Sequence, residues 1–538
     1  MKHHLAPATL VALSILAVGQ AHAAAPDAEQ RGLNELRNTV INLLQGLVEK
    51  GVLTRDQAQA MVESAQKKAA TDAEALAKAE EGAVRVPYIP QVVRDEISKQ
   101  VASEVGPQVT KNVIDTAQSE GWGVPAALPD WVRRMRWNGD VRVRAQGEFF
   151  ADDNIANSYI NFQTVNEKGG IGKAGSSAFA NTTEDRQRAR YRLRVGFDTN
   201  LGGGFSLTGR LATGALKDPI SPNQTLGTTS TRSVIGVDLA YIEWAGNSAT
   251  GRHSLQVDAG RIRNPYLSSD LVWDPDLAFE GIASTYRLGL MRDDPYAHFA
   301  YATLGAFTLQ ENEINQDKWL FGGQMGLDWK FSGGSRLRIG GALYEYQNIS
   351  GVRNAFESDL NDYTAPQWMT RGNTLFDIRN DNDINTNLFA LAADYRLVNL
   401  TGNFDWRVAP GYRVTVAADV VKNIGYDVAK MQARTGFSVD ARTLGYQGEI
   451  GFGTSSSNTA GAWRAYVGYR YLQRDAVLDG FTDSDFRLGG TDVQGYFIGA
   501  DYVINPRIQA RLRYLSGNEI DGPPLGIDTV QLDLNASF

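Results

Sequence analysis

Cysteine is absent from the 538 residues, and histidine occurs only five times. The first absence excludes disulfides and thiolate metal sites. The second leaves little for acid–base chemistry, since only His253 and His298 remain once the N-terminal segment is set aside. Ser254 follows His253 directly, but neighbours on a strand point to opposite faces and cannot form a nucleophile–base pair. No catalytic residue, metal or cofactor is expected. Long apolar runs are also missing. Beyond the first twenty-five residues nothing approaches the ~20 apolar residues of a spanning helix. Positive charge is in deficit, 53 Lys and Arg against 61 Asp and Glu, which argues against a nucleic-acid partner.

What is present begins with a short basic start, Lys2 to His4, followed by an apolar stretch of about ten residues and the small residues Ala21 and Ala23. This pattern predicts a signal peptide over 1–23. Residues 24–120 form a helical, coiled-coil-like region. Leu36, Val40, Leu43, Leu44, Leu47 and Val48 make one stripe, Gly51 stops it, and Thr54 to Gln57 has the spacing of a capping box. A third helical stretch places Val93, Ile97, Val101 and Val105 four apart. Such narrow stripes suit self-association or docking on a partner, and equally a hairpin folded on its own body. Pro107, Pro125 and Pro129 close the helical region, and residues 121–136 read as a linker.

From Trp137 to Phe538 the period changes to two. In "RQRARYRLRVGF", Arg186, Arg188, Arg190, Arg192 and Arg194 alternate with mostly apolar residues. The same pattern sets Arg142 and Arg144, Arg336 and Arg338, and Arg507, Arg511 and Arg513 opposite apolar faces. Sixteen such segments start near 137, 187, 204, 232, 253, 276, 295, 318, 335, 387, 411, 440, 462, 492, 506 and 527. Long polar connections alternate with tight turns, and Trp137, Trp244, Trp329 and Trp463 sit near strand ends. The expected fold is an all-β transmembrane antiparallel barrel of about 16 strands behind a small α-helical N-terminal region. A connection near 313–317 is shorter than the alternation of long and short wants.

Magnitudes orient the arginines. Each costs about 2–4 kcal/mol on the lipid face at mid-membrane, so four would cost roughly 8–16 kcal/mol, as much as an ordinary domain's whole stability. In a dry core an unpaired charge costs more. Side chains two apart on a strand are about 6.7 Å from each other and repel by only about 0.6 kcal/mol in water. The eleven arginines Arg142, Arg144, Arg188, Arg190, Arg192, Arg194, Arg336, Arg338, Arg507, Arg511 and Arg513 are therefore expected to line a water-filled lumen. Two readings of their field stay open: anion preference, or balance by carboxylates such as Asp258, Glu345, Asp501 and Asp533. The loop "RIRNPYLSSDLVWDPD" carries Arg261, Arg263, Tyr266, Asp270, Trp273, Asp274 and Asp276. It either folds inward as a constriction or stands as an exposed lid. The alternating Asp377, Asp381, Asp383 and Asn385 lack the central Gly and terminal Glu of an EF-hand and read as a solvated loop.

"LPDWVRRMRWNGDVRVRAQGE", "DAGRIRNPYLSSDLVWDPDLAFEGIA" and the C-terminal "DGFTDSDFRLGGTDVQGYFIGADY…LSGNEIDGPPLGIDTVQLDLNASF" resemble the putative porin family of bacterial outer membranes. The N-terminal "INLLQGLVEKGVLTRDQAQAMVESAQ" and "VRVPYIPQVVRDEISKQV" resemble its helical leader. The resemblance implies an outer-membrane channel among outer-membrane lipids, assembled through a terminal strand ending in Phe538, with small hydrophilic solutes or ions as cargo. General porins suggest a homotrimer. The alternative function is structural, with the helical region tying the membrane to the cell wall.

Overall fold

The computed structural model describes residues 39–40, 42–79, 132, 134–294, 296–383, 385–456 and 458–538. The signal peptide and the third helical stretch lie outside the described residues. The chain divides into two units, Met1–Pro129 and Asp130–Phe538.

In the first unit residues 42–49 are helical and α1 spans Arg55–Ala79. The capping box forms as the spacing predicts: the Thr54 amide donates to Gln57 Oε1 at 2.9 Å and the Gln57 amide to Thr54 Oγ1 at 3.3 Å. Val40 and Leu43 of the first stripe and Met61 of α1 are exposed.

The second unit is a closed antiparallel barrel. Its sixteen wall strands are β1 (Arg136–Phe150), β2 (Arg186–Gly202), β3 (Phe205–Thr213), β4 (Ile235–Asn247), β5 (His253–Arg263), β6 (Ala278–Gly289), β7 (His298–Gln310) and β8 (Lys318–Lys330), then β9 (Arg336–Gln347), β10 (Arg396–Ala409), β11 (Tyr412–Asn423), β12 (Leu444–Thr454), β13 (Trp463–Leu472), β14 (Val493–Asn505), β15 (Ile508–Glu519) and β16 (Ile527–Ser537). Each pairs with its sequence neighbours, and β16 returns to β1 with Val143 opposite Leu534. Phe538 extends this seam: its amide donates to the Gly139 carbonyl at 3.1 Å. Connections at one end are long: L1 (151–185), L2 (214–234), L3 (264–277), L5 (348–395), L6 (424–443) and L7 (473–492). L4 (311–317) and L8 (520–526) are shorter. The other end carries turns of two to eight residues.

The alternation turns each strand into two surfaces. On β1, Val141, Val143 and Ala145 face out while Arg142, Arg144, Gln146 and Glu148 are buried inside. Aromatic residues gather where the outer apolar band ends. Trp137 with Phe197 and Phe452 with Trp463 stand at the tight-turn end, and Tyr446 with Tyr471 and Trp319 with Phe321 at the other. Two such belts flank the membrane-facing band of an outer-membrane-type barrel.

One strand start is corrected. β10 begins at Arg396, not near 387. Residues Phe389–Leu391 do form a strand, but it pairs with Leu375–Asp377 inside L5. Ala390 and Leu391 are buried there, so their apolar run reflects packing within the loop rather than membrane contact. The short connection near 313–317 is L4, a true link between β7 and β8.

Candidate functional site

The arginines of β1 and β2 face inward in register. Arg142 stands opposite Arg192 and Arg144 opposite Arg190. Like charges in such a row need counter-charges, and most have them. Arg144, 1% exposed, grips Asp533 of β16 through two N–H groups at 2.6 and 2.9 Å and Asp485 of L7 at 2.7 Å. Arg188 pairs with Glu148. Arg192 and Arg194 share Asp140 and Asp276, with contacts of 2.7 to 3.3 Å. Arg142 and Arg190 differ. Among the described residues neither has a carboxylate within ion-pair distance. Arg142 donates to Asn223 of L2, and Arg190 reaches Ser221 Oγ and Gln146 Oε1 at 3.4 and 3.5 Å.

Elsewhere on the wall Arg511 pairs with Asp501, Arg513 with Asp485, and Arg336 with Asp328. Of the carboxylates named as balancing groups, Asp533 and Asp501 meet these arginines. Glu345 meets Arg396 instead, and Asp258 takes its hydrogen bonds from Gln256. Arg338 is half-buried on β9. Arg507 stands exposed in the turn between β14 and β15, off the wall.

L3 crosses the lumen. It leaves β5, and its Asp270 meets Arg470 of β13 at 2.8 Å, eight strands away in a ring of sixteen. Gln447 of β12 donates to the same carboxylate at 2.8 Å, and Asp419 of β11 accepts from the Ser269 amide and hydroxyl at 3.1 and 2.6 Å. The near end is fixed differently. Gln324 of β8 clamps the Leu267 backbone, accepting from its N–H and donating to its C=O at 2.8 Å each. The Tyr266 ring lies on a floor made by the cross-strand pair Gly305 and Gly322, where a Cβ on either would overlap its hydroxyl. Tyr344 meets Tyr266 edge-on at 5.1 Å. Trp273 is caged by Phe279 at 5.0 Å and Tyr344 at 5.2 Å. Arg261 pairs with Glu280, while Arg263 is exposed at the end of β5.

A second inward loop was not anticipated. L7 is hydrogen-bonded to L3: the Asp274 amide donates to Phe481 O at 2.8 Å, the Asp483 amide to Asp270 O at 3.1 Å, and the Ser484 amide to Asp274 Oδ2 at 3.0 Å. L7 then anchors to the wall through Asp483 on Arg470 and Asp485 on Arg144 and Arg513. Burial alone would raise the pKa of Asp485, yet Arg144, Arg513 and Arg142 hold it well below the usual carboxylate range. Asp274 goes the other way. Burial, then the neighbouring Asp276 and Asp483, push it well above that range. The sequence signal for L7 is its mixture of Asp475, Asp479, Asp483 and Asp485 with the apolar Val477, Leu478, Phe481 and Phe486, as in L3.

L3 and L7 together form a partition with space on both sides. Toward the long loops lies a vestibule of about 680 Å³, reaching Arg261, Lys318 and Trp368. On the other side lie a cavity of about 530 Å³ along β10–β15 and one of about 430 Å³ toward the tight-turn end. The last two share Arg464, Asp501 and Arg511, so charged residues run along this path. Trp273, 2% exposed, lines both the vestibule and the 530 Å³ cavity.

His253 Nδ1 bonds the Tyr286 hydroxyl at 2.6 Å, and His298 meets Trp329 edge-on. Among the described residues no group of three His, Asp or Glu is placed to hold a metal. Asp381 and Asp383 instead bond Thr386 and Asn385 within L5.

The model of the family described as "Putative porin" matches residues 37–538. No curated protein sequence matches the chain. Among solved structures it is similar to the outer membrane channel DcaP of Acinetobacter baumannii, at 13% identity and a TM-score of 0.38 over 75% of this chain and 97% of that one. It is also similar to OprB of Pseudomonas putida, at 9% identity and 0.42 over 75% and 94%. A third is Salmonella typhi OmpF in complex with daunomycin, at 11% and 0.38 over 75% and 97%.

Proposed function

We propose, from the premise that this chain belongs to the Putative porin family of outer-membrane channels, that it conducts small hydrophilic solutes by passive diffusion through the bacterial outer membrane. Family and fold point to a channel rather than an enzyme. The observation that carries the reading is the charged inner wall with cavities on both sides of L3 and L7. A dry interior would not be lined by guanidinium and carboxylate rows at this density. Trp273 lines both the vestibule and the inner cavity and so stands on the path between them.

Charge selection is weak and tilts to anions. Around β1 and β2, five arginines (144, 188, 192, 194 and 513) pair with five carboxylates (140, 148, 276, 485 and 533), and Arg142 and Arg190 have none within ion-pair distance among the described residues. The surplus is Arg142 and Arg190. Fixed positive charge in a pore wall favours anions, but a mostly compensated wall does so mildly.

Purified full-length protein in planar bilayers should show ohmic channels, with a small reversal potential of anionic sign in a KCl gradient. Replacing both surplus arginines with glutamine should bring that potential close to zero or reverse it. A closed protein defeats the channel reading. An open one whose potential ignores the two substitutions defeats only the assignment of its tilt.

A further inference from the structure

The vestibule differs chemically from the path beneath it. Apolar side chains such as Trp273, Phe279, Phe307, Leu320, Leu391 and Phe481 make up much of its lining, and the first five of these are almost fully buried. A concave space of about 680 Å³ whose apolar walls are broken by polar groups, Glu280 and Asp479 among them, has the size and mixed lining of a small-molecule site. Water alone gains little there.

One cation of this lining has no counter-ion among the described residues. Lys318, the first residue of β8, is 2% exposed. Its ammonium donates to the Thr364 and Ala365 carbonyls of L5 at 3.0 Å each. No carboxylate lies within ion-pair distance among the described residues, whereas the neighbouring cations Arg261 and Lys217 have Glu280 and Glu167. An ammonium carries three donors, and two neutral carbonyls leave its charge uncompensated in an apolar setting. Trp368, on the same lining, has a buried indole N–H with no acceptor. Unused donors beside apolar walls call for an acceptor-bearing, negatively charged group on an apolar body.

We propose that the vestibule is a binding site for amphipathic organic acids, in which Lys318 takes the carboxylate and the aromatic walls hold a ring-sized apolar body. Small inorganic anions lack the body, and neutral apolar alcohols lack the charge. The site goes beyond diffusion, since a solute held at the mouth is selected before it meets the partition.

Calorimetry on the full chain in lipid nanodiscs tests this, with protein-free nanodiscs as the blank. Binding needs no conductance, so a silent bilayer experiment would leave this result standing by itself. The probes are 3-phenylpropanoate, 3-phenylpropan-1-ol and acetate near neutral pH. The carboxylate should bind at one site per chain, at least about ten-fold more tightly than the alcohol, the weight of a hydrogen bond to a charged group. Acetate should not saturate. K318M should bring acid and alcohol to parity, and K318R should keep the preference. Equal binding of acid and alcohol to the unaltered chain overturns the proposal, as does a preference that survives K318M. Should K318M fail to assemble, the three probes on the unaltered chain decide alone.

Discussion

Two arcs of the inner wall hold the same loop by different physics. Along β6–β9 the inward residues around the loop's seat include Phe279, Phe307, Leu320 and Tyr344, all 4% exposed or less. They receive Tyr266 and Trp273 by shape, over a glycine floor. Along β13–β16 and β1–β2 the inward residues are charged, and they receive L3 and L7 through Asp270, Asp276, Asp483 and Asp485. The apolar arc gives a seat that neither salt nor pH addresses. The charged arc gives contacts whose net value is small when intact and large when half is removed. Much of what looks like a row of pore arginines is thus the counter-charge of an acidic partition.

The comparison is most easily broken at Asp485. This one carboxylate serves Arg144 and Arg513 and accepts from Gln531 at 2.9 Å. D485A leaves two largely buried guanidiniums short of a partner, and a loss of about 3–5 kcal/mol is expected. Denaturant unfolding of the refolded barrel, followed by Trp fluorescence, measures it. The reversal potential should move further toward anions. An unchanged midpoint would mean that L7 is not tied to the wall by charge.

On the other arc, G322A puts a methyl group into the Tyr266 ring. Overpacking of this kind costs about 1–3 kcal/mol. Freeing the near end of L3 should also raise single-channel conductance. Adding Y266A removes the clash, so the double variant should be less destabilised than the two single losses added together. Simple additivity would show that the glycine pair is not the seat of Tyr266.

The wall was legible in the sequence because a period of two has one physical reading when charge lies on one side and hydrocarbon on the other. The strand near 387 misled for a related reason: Phe389–Leu391 is apolar and extended, but its partner is Leu375–Asp377, and a local pattern does not name its partner. The apolar content of L3, with Tyr266 and Trp273 among aspartates, marked it as unlike a solvated loop. L7 mixes Val477, Leu478, Phe481 and Phe486 with its aspartates in the same way, so its apolar content was an equal signal. Its burial depends on Arg144, Arg470 and Arg513, which lie on three separate strands and come together only when the barrel closes. Likewise Lys318 reads as an ordinary strand-end lysine until L5 folds over it.

Asp479 gives the subtlest test, because it is a carboxyl of L7 that lines the apolar vestibule. One of its oxygens accepts from the Thr370 amide at 3.1 Å, and its own amide donates to Asn373 Oδ1 at 2.8 Å, joining L7 to L5. Burial pushes its pKa up to about 7, against about 3.9 in an unfolded chain. The folded joint therefore holds its proton in a window where the unfolded chain has lost it. Its stability must fall as pH rises from about 4 to about 7 and level off above. Asp492, raised by burial to about 6, slopes the same way. Asp485 slopes oppositely and acts only in strong acid, because its arginines keep it ionised above that. Hydrogen exchange at the Thr370 amide, compared at each pH with that in D479N, isolates the Asp479 contribution. Protection in the unaltered chain should drop relative to D479N across this window. Parallel profiles would mean that Asp479 is already ionised in the folded joint, and that the apolar arc tolerates charge as readily as the other.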